Sequence, residues 1–175
     1  MKIRAAFLIP VVALLFAACN DNKSPVQPTP QDVPPKFQAI MLPINENPPV
    51  AGAEAGGSGT VTITLNLTKD ASGTITGGTV DFAASMTGFP NGTALTAAHI
   101  HPGAPTVNGG VLVSTGIVAG EVTMPAGSGT LTKTGVVTSA ANLTQILANP
   151  GGFYFNIHTA ANAGGVARGQ LNRIQ

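Results

Sequence analysis

Thr60-Val61-Thr62-Ile63-Thr64-Leu65-Asn66-Leu67 alternates without interruption. Val, Ile and Leu fall on one side, Thr and Asn on the other, which is the two-residue period of a strand buried on one face. Weaker runs of the same kind lie at 37–42, 79–86, 96–101, 111–117, 129–136, 153–158 and 166–174. Turn formers separate them: Asp70-Ala71-Ser72-Gly73, Pro90-Asn91-Gly92 and Asn108-Gly109-Gly110. In such turns Gly supplies positive φ and Asn or Asp bonds the local backbone. Only 139–149 has helical spacing. Thr138 or Ser139 can cap it, Leu143, Ile146 and Leu147 line one side, and Pro150-Gly151 stops it. About eight short strands with one short helix predict an all-β domain, an immunoglobulin-like Greek-key β-sandwich or barrel.

The chain has 175 residues, with 9% charged side chains, 22 Gly and 14 Pro. Length admits one domain of ordinary size. So little charge excludes a coiled coil, a charge-driven disordered chain and a polybasic nucleic-acid binder. One Cys excludes an internal disulfide framework and a Cys-rich zinc cluster.

The mean hydropathy of +0.29 is raised by one segment near the start. Lys2 and Arg4 precede an apolar run over 5–18, too short to span a bilayer as a helix. It ends in Leu15-Phe16-Ala17-Ala18-Cys19, which resembles a bacterial lipobox, with Phe16 where Leu is usual. The resemblance implies cleavage after residue 18 and lipidation of Cys19. Residues 19–36 carry Pro25, Pro28, Pro30, Pro34 and Pro35 among polar side chains, the composition of a semi-rigid tether. The expected organisation is therefore a signal peptide over 1–18, a lipidated tether over 19–36 and a domain over 37–175. The expected location is the bacterial cell envelope, periplasmic or surface-exposed, with the membrane engaged through the lipid. Without Lys2 and Arg4, six basic side chains face seven acidic ones. That balance calls for no anionic partner, and no nucleic acid is expected.

All three histidines fall in two strand-like runs. His99-Ile100-His101 sets two imidazoles two residues apart, on one face of a strand. In Phe153-Tyr154-Phe155-Asn156-Ile157-His158 the phenylalanines and Ile157 take the core side, so Tyr154, Asn156 and His158 share the other. Parity thus places every histidine on a face turned away from the core. Two imidazoles on one strand and a third from a neighbour match the ligand type of copper or zinc. Equally, surface histidine pairs on strands serve structural roles. The acidic residues Glu46, Glu54, Asp70, Asp81 and Glu121 are scattered, and no Gly-x-Ser-x-Gly elbow or phosphate loop occurs.

Four ordered segments together resemble the CHRD domain, a module of exported proteins. They are Phe37-Gln38-Ala39 with Glu46-Asn47-Pro48-Pro49-Val50; Ala97-Ala98-His99-Ile100-His101-Pro102-Gly103; Tyr154-Phe155-Asn156-Ile157-His158-Thr159; and Gly165-Val166-Ala167-Arg168-Gly169-Gln170-Leu171. The family usually closes with Gly-Glu-Ile/Leu-Arg-Gly-Gln, so Val166 stands here where Glu is usual. The resemblance implies an immunoglobulin-like fold distantly similar to Cu/Zn superoxide dismutase, and no general activity. His99-Ile100-His101 is similar to that enzyme's copper ligands. Three histidines and no domain cysteine are too few for its two metals and disulfide, so dismutase activity is not expected.

The leading expectation is a non-catalytic binding or structural module, its partner an envelope protein or a polysaccharide. The alternative is a metal-binding protein holding one copper or zinc ion at His99, His101 and His158. Glu46, Pro48, Pro49, Asn156, Arg168, Gly169 and Gln170 are expected to be structural. Arg168 should lock strand ends near Asn156 or an acid.

Overall fold

The computed structural model describes residues 33–175; the proposed signal segment and Cys19 lie outside the described residues. Among the described residues, ten strands form two antiparallel sheets. In the first sheet the order is β10 (Asn172–Arg173), β1 (Lys36–Met41), β2 (Ser58–Lys69), β3 (Ile75–Thr87) and β7 (Gly129–Thr138). In the second, β5 (Val113–Ser114), β4 (Thr93–Pro102), β8 (Phe153–Thr159) and β9 (Ala167–Gln170) follow in that order, and β6 (Thr123–Met124) pairs with β4. The sheets are not closed into a barrel, so the sandwich is the correct member of the expected pair. They are stitched at one corner, where Leu42 and Arg168 exchange backbone hydrogen bonds of 3.0 and 3.4 Å.

The alternation in β2 determines the register of its sheet. Val61 pairs with Ala39 and Ala84, and Ile63 with Phe37 and Phe82, so apolar side chains meet on one face across three strands. A one-residue slip would turn that whole set to solvent. The second sheet supplies the facing layer through Ile100, Phe155 and Ile157, and the Phe82 and Phe155 rings meet across the sandwich at 5.7 Å.

The helix α1 (Ala140–Ala148) forms where expected. Ser139 Oγ accepts from the Asn142 amide, and Leu143 and Ile146 are fully buried. Two expectations change in detail. Of 111–117 only Val113–Ser114 pairs as a strand, because the Thr115 hydroxyl and amide both donate to the Ala98 carbonyl and the chain turns away at Gly116. The run 166–174 is divided in two, β9 joining the second sheet and β10 the first.

Candidate functional site

The outer face of the second sheet is not a solvent face. Every residue of β8 is buried, including Tyr154, Asn156 and His158, which the two-residue period places opposite the core. Three irregular segments cover them: a strap over 43–57, a loop over 103–110 and a turn over 159–165. The strap holds two 3-10 helices, Pro43–Asn45 and Ala53–Gly56. Outward parity is therefore as expected, but exposure is not, since only His99 remains half-buried while His101 and His158 are 6% and 9% exposed.

Register brings the histidines together. His99 and His101 follow each other on β4, opposite Asn156 and Tyr154 of β8, and the same unbroken register sets His158 opposite Ala97. Ring centroids are 5.0 Å apart for His99 and His158, 5.4 Å for His99 and His101, and 6.1 Å for His101 and His158. One nitrogen from each ring lies within 4.8 Å of the others.

The hydrogen bonds fix two of the three tautomers. His101 Nδ1 is 3.0 Å from the Gly109 carbonyl and His158 Nδ1 is 2.9 Å from the Ala163 carbonyl. A carbonyl only accepts, so both Nδ1 atoms carry the proton and both Nε2 atoms present lone pairs. His158 Nε2 directs its lone pair at His99 Nδ1, 3.2 Å away. His101 Nε2 is buried without any partner. This is the outer-sphere arrangement of metal-ligating histidines, the non-ligating N–H held by a carbonyl.

Burial holds these rings neutral. It pushes His99 down to about 4, aided by His158 and His101, and lowers His101 and His158 for the same first reason. Neutral imidazole is the ligating form.

Two acids from the strap brace this cluster. Glu46 accepts from Asn156 Nδ2 at 3.2 and 3.4 Å and lies 3.8 Å from Arg168 Nε. Burial raises its carboxyl to about 7, and the Arg168 charge opposes that rise. Glu54 accepts from the Thr159 hydroxyl at 2.7 Å and from Asn162 Nδ2. It thereby anchors the turn whose Ala163 carbonyl orients His158.

Arg168 is 2% exposed. Its Nε donates to Asn45 O at 2.6 Å, and its Nη1 donates to Asn108 Oδ1 at 2.8 Å and to Val107 O. Its guanidinium carbon lies 4.6 Å from the centroid of the Tyr154 ring, on which His101 also stacks at 5.0 Å. Arg168 therefore ties strap, loop and β9 together beside Asn156 and an acid. Gln170 Nε2 bonds the Gly103 and Gly151 carbonyls. Gly169 passes against the Ile40 backbone, where a Cβ would collide. Pro48 and Pro49 are exposed on the strap, and the Asn47–Pro48 bond is cis. Gly165 has φ 138°, and a Cβ there would sit 2.8 Å from both Glu46 carboxylate oxygens.

In the sequence Glu54 stands only as one of several scattered acids. The available signal was its isolation, since Glu46 and Glu54 are the only acids between Phe37 and Lys69. Tyr154 was placed on the polar face but given no part.

The fold and this cluster define a two-sheet β-sandwich with a covered histidine centre on the outer face of one sheet. The family model of the CHRD domain matches residues 37–171, and the chain belongs to that family. No curated protein and no solved structure matches the chain.

Proposed function

We propose that this CHRD domain is a metal-binding module that holds one copper or zinc ion at His99, His101 and His158, anchored in the cell envelope by a lipid on Cys19. One observation carries the metal reading. One nitrogen from each of the three rings lies within 4.8 Å of the others, His158 Nε2 faces His99 Nδ1 at 3.2 Å, and His101 Nε2 is buried and unpartnered.

The distances suit the chemistry. Two nitrogens bound at ~2.0–2.1 Å to a tetrahedral zinc lie about 3.3 Å apart, and His99 Nδ1 and His158 Nε2 are already at 3.2 Å. In the metal-free protein a proton on His99 Nδ1 occupies that line. A bound ion would need that line free, so His99 would carry its proton on Nε2 instead. Soft thiolate ligands are absent among the described residues, so three imidazoles favour zinc or copper over iron–sulfur chemistry.

The module reading and the metal reading join in one molecule. The tether presents the sandwich outside the cytoplasm, and the ion occupies its covered sheet face. An envelope protein or a polysaccharide remains the proposed partner class. A thermal-denaturation series with zinc or copper tests the metal reading. Ligand at a hundredfold excess over Kd stabilises by about 2.7 kcal/mol, and that gain is expected to vanish in His158→Ala.

A further inference from the structure

The potential ligands of this cluster stop at three among the described residues, whereas a closed structural zinc site has four. The residue directly across from His99 on β8 is Asn156. Its amide is oriented: Nδ2 is turned to the Glu46 carboxylate, which accepts. Oδ1 occupies the other arm of the amide and is buried without a partner in a residue 2% exposed. A buried amide oxygen left unpaired costs about 1–3 kcal/mol, so in the working state a donor is expected to reach it. Asn156 also lies two residues from His158 on the same face, so ligands stand beside it along β8 and across on β4.

We infer that the three-histidine centre keeps one coordination position open for an exchangeable, proton-bearing oxygen ligand, water in the resting state, and that Asn156 Oδ1 accepts its hydrogen bond. The inference rests on the metal reading above. It makes the site a receptor for small donors and anions rather than a closed structural knot. Glu46 acts through Asn156: by accepting from Nδ2 it keeps Oδ1 facing the ligand. The guanidinium of Arg168, cross-strand from Asn156 on β9, adds positive potential that favours a small anion as the displacing ligand.

Azide binding to the Co(II)-loaded full chain tests this, read from the visible d–d spectrum. Azide bears no proton to donate, so it must displace the bound water and forgo the bond to Asn156. The wild-type protein is expected to change spectrum on azide addition and saturate. Asn156→Ala removes the acceptor that holds the water, and its azide Kd should fall about three- to tenfold, the equivalent of one hydrogen bond. Asn156→Asp keeps an oxygen there and adds negative charge, so its azide Kd should rise. A merely structural role would shift both variants the same way, which would overturn the part given to Asn156. If the alanine variant fails to fold, the wild-type titration still decides: bound cobalt whose spectrum ignores azide overturns the open position. Failure of cobalt to bind at all would instead sink the metal reading itself.

Discussion

His99 on β4 and His158 on β8 approach through Nδ1 and Nε2 at 3.2 Å, although 59 residues separate them. The unbroken register from Ala97 to Pro102 produces this meeting, because it sets His158 opposite Ala97, diagonal to His99. Carbonyl partners then determine which nitrogens are free.

His99→Ala or His158→Ala should therefore weaken metal binding by more than the 10- to 100-fold typical of losing an outer-sphere partner. The fold should survive, because these side chains point away from the Phe82–Phe155 core. Competition with a chromogenic chelator measures the first, and far-ultraviolet circular dichroism the second.

Glu54→Gln provides a graded comparison. Its carboxylate anchors Thr159 and Asn162, and so the turn that presents the Ala163 carbonyl to His158 Nδ1. Metal affinity should drop about tenfold, with all three imidazoles still bound in the electron paramagnetic resonance spectrum of the copper form.

The histidines predict a direction with pH. Burial lowers all three, His99 to about 4. The folded metal-free protein binds fewer protons there than the unfolded chain, whose histidines titrate near 6.5. Their contribution to stability is present above pH 6.5 and is lost as pH falls toward 4. By the same cause, metal should be retained below pH 6.5 and released as pH falls toward 4, checked by dialysis across pH with elemental analysis.

Glu46 behaves oppositely. Burial holds its carboxyl at about 7, above the ordinary 4.5, so its contribution is fully present below 4.5 and declines as pH rises to 7. Glu46→Gln should remove that decline, on the order of 2 kcal/mol across the window. Urea unfolding of both proteins at pH 4.5 and 7.5 measures the difference.

Arg168→Lys should destabilise by about 3 kcal/mol, because an ammonium cannot reproduce the planar contacts to Asn45, Val107 and Asn108 in a buried place beside Glu46. Chemical denaturation gives the value.

Much of the frame was legible because it rests on local period. The strict alternation of Val61, Ile63 and Leu65 specifies a face whatever the rest of the chain does, and Ser139 with Pro150 marks the ends of α1. The same parity put all three histidines on the correct face. Exposure was not legible. Residues 43–57, 103–110 and 159–165 have no period, and what they cover depends on long-range hydrogen bonds such as Arg168 to Asn108. The two-residue strand Thr123–Met124 was invisible for a related reason: its pairing partner on β4 is distant, and two residues carry no alternation. Val166 stands where the family usually has Glu, yet Arg168 still has an acid beside it, because Glu46 arrives from the strap.

That the three imidazoles act as one ligand set is tested most directly by equilibrium dialysis. The full chain is measured with Zn(II) and with Cu(II), beside His99→Ala/His101→Ala. One ion per chain, bound tighter than about 1 μM, roughly −8 kcal/mol, and lost in the double variant, is the predicted result. Binding weaker than that, or equal in the two proteins, would contradict it.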